Sequence, residues 1–195
     1  MSRLHYLAAL AYATIALLLV GAERWSRVQS HATAGVVAMP AVPTGSDGWS
    51  RLKPLCNSVE VETGLSRFPP SPGSVGTGYA AACLALAGRI AEARARILEL
   101  PARERATAAS VVFGIGHPVA DMGDDRSAGP MMGLVVEFIP DHDMALYHAG
   151  MAMYTLGDHE RAAGYLRRFV DLYQVRDGWR TNALEVLRRE EMRGR

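Results

Sequence analysis

A single lysine, Lys53, stands among the 21 basic residues of this 195-residue chain, so nearly all of its positive charge is guanidinium. Twenty acidic residues bring the net charge to +1, which removes any global electrostatic reason to expect a nucleic-acid partner. Two cysteines, Cys56 and Cys83, are too few for a disulfide-stapled scaffold or a four-cysteine zinc site. The chain also lacks a Gly-x-Ser-x-Gly elbow, a glycine-rich phosphate loop followed by Lys-Ser/Thr, a His-Glu-x-x-His pair and a Cys-x2-Cys pair. These absences argue against an enzyme and leave no cofactor to expect. What is abundant is aliphatic: 49% of residues are hydrophobic and only 7% aromatic, too apolar for a disordered chain. The length allows one modest domain plus an appendage.

The appendage is N-terminal. Leu4–Val20 carries no charge apart from His5 and spans roughly 25 Å as a helix, the short end of what crosses a bilayer. Arg24, Trp25 and Arg27 follow as interfacial anchors, so residues 4–21 are expected to enter the membrane. Domain 1–22 is therefore a transmembrane anchor, or a signal peptide cut after Ala22. Arg3 before the segment nearly balances Arg24 and Arg27 after it. The short N-terminal tail then leans towards a cytoplasmic start, placing the soluble domain on the exported side of the cell membrane. Residues 23–48 are rich in Ala, Val, Pro and Gly without periodicity and read as a flexible linker.

Residues 49–195 read as a helical domain built on a repeat. Gly88-Arg89, Gly123-Asp124 and Gly157-Asp158 mark turns at spacings of 35 and 34 residues. Aligned on those glycines, Ala93, Ala128 and Ala162 coincide, as do Ile97, Met132 and Leu166 one turn later. Upstream, Ala81, Gly116 and Gly150 occupy matching small positions, followed by Leu84, Val119 and Met153. Small residues on a first helix let a second approach closely, and a terminal glycine accepts the left-handed cap conformation. The spacing therefore predicts three helix hairpins. Trp49–Leu65 and Gly178–Met192 supply amphipathic caps, the first through Leu52, Leu55, Cys56, Val59 and Leu65, the second through Trp179, Ala183, Val186 and Leu187.

These elements resemble the tetratricopeptide repeat (TPR) family over roughly Val75–Val175. The family's first-helix signature appears as Leu146-x2-Ala149-Gly150-x2-Met153 and as Val112-x2-Ile115-Gly116-x2-Val119. Its Ala-x3-Phe element appears as Ala162-x3-Leu166, Ala128-x3-Met132 and Ala93-x3-Ile97. Its closing proline matches Pro140 and is displaced to Pro101, while the hallmark tryptophan is replaced by aliphatics. The resemblance implies an all-α fold, a right-handed superhelix of antiparallel helix pairs whose first helices line a concave face that receives a protein or peptide. Carried over position by position, that face presents Phe113, His117 and Asp121 in the second unit and Tyr147, Met151 and Tyr154 in the third. The first unit offers only Gly78, Ala82 and Ala85, a shallow end to the groove. These aromatic and methionine side chains serve either as a peptide clamp or as packing.

His117-Pro118 sits between Gly114 and Gly116 and predicts a kink inside an apolar helix. His117 and Asp121 share a helix face at i, i+4, with Asp124 and Asp125 just beyond. Asp124 and Asp125 are ordinary turn and capping residues, as are Asp141 and Asp143 before Met144, so no ligand set is complete and no metal is expected. Cys83 lies in Ala-Ala-Cys-Leu-Ala-Leu, where cysteine most simply acts as a small buried hydrophobe, and a bridge to Cys56 is left open. The functional expectation is a non-catalytic, membrane-tethered interaction module acting as adaptor or assembly factor. The alternatives are an exported soluble helical protein of the envelope and a small metal- or thiol-dependent enzyme.

Overall fold

A computed structural model of the chain describes residues 47–193. The membrane segment expected at 4–21 and the linker expected at 23–48 lie outside the described residues, except that Asp47 and Gly48 already belong to the first helix. Among the described residues there are nine α-helices and no strand, and no helix is long and apolar enough to cross a membrane.

The three glycine turns organise six of those helices. α3 (Ser74–Leu86) turns at Gly88 into α4 (Ile90–Leu98), α5 (Ala102–Asp121) at Gly123 into α6 (Asp125–Phe138), and α7 (Asp143–Thr155) at Gly157 into α8 (His159–Leu172). All three glycines have φ between 78° and 85°, the left-handed region that a side chain resists. Each turn closes in the same way. The residue after the glycine donates its N–H to a carbonyl five residues back: Arg89 to Leu84, Asp124 to Val119 and Asp158 to Met153. Asp124 and Asp158 then cap the second helices by accepting from Ser127 N and Arg161 N.

Within a hairpin the backbones come close. A Cβ built on Gly150 of α7 would sit 2.6 Å from Leu166 Cγ, and one on Gly116 of α5 would sit 2.8 Å from Met132 Cε. Leu166 and Met132 hold the same position in the repeat alignment, and each meets the glycine of its own hairpin. Between hairpins, α3 packs on α5, α6 on α7, and α8 on the final helix α9 (Gly178–Arg193). α5 and α7 meet at fewer points. One apolar cluster runs through the array from Leu52 and Val61 to Phe169, Ala183 and Val186. Arg94 on α4 pairs with Glu137 on α6 at 2.7 Å, and Arg180 donates to the Val170 and Tyr173 carbonyls at the end of α8, fastening α9.

The amphipathic cap expected over Trp49–Leu65 is divided into short pieces. It is α1 (Asp47–Leu52), a 3-10 turn (Lys53–Leu55) and α2 (Val61–Arg67). Pro54 lacks the N–H that a continuing helix would use, and Asn57 Oδ1 accepts from the N–H groups of Val59 and Glu60 instead. Val59, expected inside, is therefore 85% exposed. Cys56, just after the 3-10 turn, is bridged to Cys83 in the last turn of α3. Cys83 is fully buried as expected of a small hydrophobe, but as half of a disulfide.

Gly150→Ala is expected to destabilise the chain by about 1–3 kcal/mol, because Leu166 has to give way. Gly164→Ala on the exposed side of α8, where a Cβ meets nothing within 4 Å, is expected to stabilise it by up to about 1 kcal/mol. Urea denaturation followed by circular dichroism separates the two. Equal effects would contradict the close-approach account.

Candidate functional site at the α5–α7 junction

Where α5 and α7 diverge, rings fill the space. Phe113 of α5 stacks on His117 one turn later, with ring centroids 4.9 Å apart, and packs against His142 at 4.0 Å. His142 is the N-cap of α7. Its Nδ1 accepts from Ala145 N at 3.3 Å, so the capping role expected of the flanking Asp141 and Asp143 falls chiefly to the imidazole between them. His117 meets His148 of α7 edge-on at 4.9 Å. His148 in turn lies against Tyr147 at 5.3 Å and against Trp179, the second residue of α9, at 5.8 Å.

The repeat explains part of this arrangement. Phe113 and Tyr147 are 34 residues apart and occupy the same position in their units. Each is covered by the start of the next first-type helix: Phe113 by His142, and Tyr147 by Trp179 at 5.0 Å with Phe169 behind it at 5.1 Å. Both rings are almost wholly buried, at 3% and 5% exposure. In the first unit the equivalent residue is Gly78, and a Cβ there would lie 2.6 Å from Val111 Cβ, so α5 itself takes the place of the ring. Proline does not stop α5. The helix continues through Pro118 for one further turn to Asp121 and ends with Met122 N–H on the Pro118 carbonyl.

Of the six expected contact residues, Phe113, His117, Asp121 and Tyr147 are thus gathered around His148. Met151 and Tyr154 continue along the same α7 face and are half-buried, Tyr154 lying against His159 of α8 at 5.6 Å. Asp121 and His117 have side chains 47% and 33% exposed. His148 is the residue absent from the expectation. It is 7% exposed and is the only buried polar or charged residue among the described ones. A signal for it existed in the register: Met151 is the counterpart of His117, and His148 lies one turn before it, on the adjoining face.

The electrostatics follow from that burial. Asp121 Oδ1 lies 3.7 Å from His148 Nε2 and 3.8 Å from His117 Nε2, beyond hydrogen-bond range in both cases. Neither Nε2 has a hydrogen-bond partner among the described residues. Burial, reinforced by the neighbouring His117, pushes the His148 imidazole down to about 4, against the weaker pull of Asp121 and Asp125. Burial also lowers His142, opposed by Asp143. Both rings are therefore neutral at pH 7, and His117, Asp121 and His148 offer two imidazole nitrogens and a carboxylate within 4.8 Å of one another. The sequence had supplied only the i, i+4 pair of that set, and the fold brings the third member from the next hairpin.

Comparison with protein-family models, with curated proteins and with solved structures finds no match to this chain.

A depressed histidine binds its proton more readily in the unfolded chain, so its contribution to stability is complete above about pH 6.5 and is lost as pH falls towards 4. The urea midpoint of the full chain in chelator-containing buffer is expected to drop across that window. His148→Phe, which keeps a buried ring without a titrating nitrogen, is expected to lose part of the drop. An unchanged profile in the variant would assign the acid sensitivity elsewhere.

Proposed function

We propose that this chain is a non-catalytic interaction module, tethered to the membrane through residues 4–21, that holds a protein or peptide partner along the first helices of a TPR-like superhelix. The observation that carries this reading is the side-chain file across α5 and α7. Phe113 and Tyr147 form a buried floor, and His117, Asp121, Met151 and Tyr154 stand partly open above it. A rigid wall with adaptable thioether, phenol and imidazole groups suits capture of an extended or helical peptide. The contact role proposed for the six residues therefore divides. Four meet the partner, and the two buried rings hold the helices that carry them.

The Cys56–Cys83 disulfide supports placing this domain on the exported side, since such bonds persist in oxidising compartments and are rare in reducing cytosol. Its loop of 27 residues corresponds to about 3–4 kcal/mol of stabilisation in the chain-entropy treatment. Thiol alkylation of intact cells before lysis, followed by mass analysis of the full chain, is expected to find both cysteines unmodified unless a reductant is added. Rapid labelling without reductant would argue for a reduced, cytoplasmic domain.

The direct test of partner capture is site-specific photo-cross-linking in membranes. A photoreactive residue at Met151 or Tyr154 is expected to give a discrete adduct, whereas one at Arg167, exposed on the second helix of the same hairpin, is not. Met151→Ser is expected to weaken capture with little change in thermal unfolding, while Tyr147→Ala costs about 3–5 kcal/mol of stability because its buried ring is packed against His148, Phe169 and Trp179. Adducts from both faces, or from neither, would overturn the proposed binding wall.

A further inference from the structure

We propose that His117, Asp121 and His148 together bind one divalent transition ion of the zinc class, bridging α5 to α7. Asp121 Oδ1 stands 3.8 Å from His117 Nε2 and 3.7 Å from His148 Nε2. A hydrogen bond would draw such pairs to about 2.7–3.2 Å. The observed spacing is instead close to the roughly 3.4 Å between neighbouring donors of a tetrahedral ion with bonds of about 2.0–2.1 Å. All three donor atoms lie within 4.8 Å of one another, so rotation of the imidazoles together with a small movement of Asp121 would close the set around a common centre.

A second observation points the same way. His148 is more than nine-tenths buried, yet its Nε2 has no hydrogen-bond partner, and the same is true of the buried Nε2 of His117. Two orphaned ring nitrogens aimed at one carboxylate are costly unless something between them accepts both lone pairs. A cation does so, and neutral imidazole is the form that ligates. The rings are also held in place before any ion arrives, His117 by its stack on Phe113 and His148 by Tyr147 and Trp179.

Donor chemistry selects the ion. Two imidazoles and one carboxylate suit zinc and its first-row neighbours, whereas magnesium and calcium require sets dominated by oxygen. With only three protein donors, and Asp121 half-exposed on the outer side, the remaining position is open to water or to a donor from another molecule. The site departs from the expectation of no metal because its third ligand lies 27 residues beyond the second and is joined to it only by the fold.

The test uses the untagged full chain, freed of metal by chelator and dialysis, titrated with Zn2+ by calorimetry, with the retained metal counted by elemental analysis. The wild type is expected to hold one Zn2+ per chain. His117→Gln, Asp121→Asn and His148→Phe are each expected to bind about tenfold more weakly or worse. His159→Gln is expected to bind as the wild type, since His159, the first residue of α8, faces Tyr154, Glu190 and Arg193 and none of the three proposed ligands. Asp121→Asn carries the decision, because it alters a half-exposed side chain and not a packed ring; metal-free thermal unfolding of each variant confirms its fold. Co2+ in place of Zn2+ is expected to give a visible ligand-field band in the wild type that Asp121→Asn lacks. No saturable binding by the wild type would overturn the site. So would wild-type affinity in Asp121→Asn and His117→Gln, which would place the ion on other histidines.

Discussion

How closely two helices of a hairpin approach is decided here by what is missing from their facing surfaces. At Gly150 and Gly116 there is no side chain, and Leu166 and Met132 occupy the space that a methyl group would need. That contact sets the spacing within the second and third pairs, and the left-handed glycine at each turn sets the direction in which the second helix returns. The spacing between successive pairs is then a matter of what lies on the outer faces of α3, α5 and α7. Between α3 and α5 it is Gly78 against the Val111 side chain and the Ala108 carbonyl. Between α5 and α7 it is a layer of rings.

That difference creates the site. A uniform array of small residues would close every junction as tightly as the first. Phe113 instead props the second and third units apart under His142, and Tyr147 does the same between the third unit and α9 under Trp179. The wedge left beside them receives His117 and His148, with Asp121 at its mouth. Burial is sufficient to keep His148 neutral, and the opening is sufficient to leave Asp121 and His117 within reach of solvent. Packing and chemistry are thus two readings of the same rings.

Much of this scaffold was legible from residue order. Glycines at 88, 123 and 157 end in identical turns, the small residues at 116 and 150 admit the second helices closely, and Asp124 caps α6. These features are local, or they repeat, so a single chain contains several copies of the evidence. What stayed hidden depends on one position or on distance. Pro54 and Asn57 divide the N-terminal cap through a lost donor and a side-chain turn, which hydrophobic periodicity does not register. Phe113 and Tyr147 sit at positions that the TPR resemblance assigns to a ligand face, but the next helix begins directly over them. His148 could be placed beside His117 only once the separation of α5 and α7 was known. The pairing of Cys56 with Cys83 likewise follows from how the divided cap folds back on α3.

The disulfide has a mechanical meaning as well. Tension entering the domain at residue 47 would travel along α1 to Cys56 and cross the sulfur bridge to Cys83, in the last turn of α3. Residues 57–82, including all of α2, lie in the closed loop and bear none of that load. A pull from the N-terminal side therefore bypasses the weakly anchored α2 and most of α3, and arrives at a fully buried residue just before the first glycine turn.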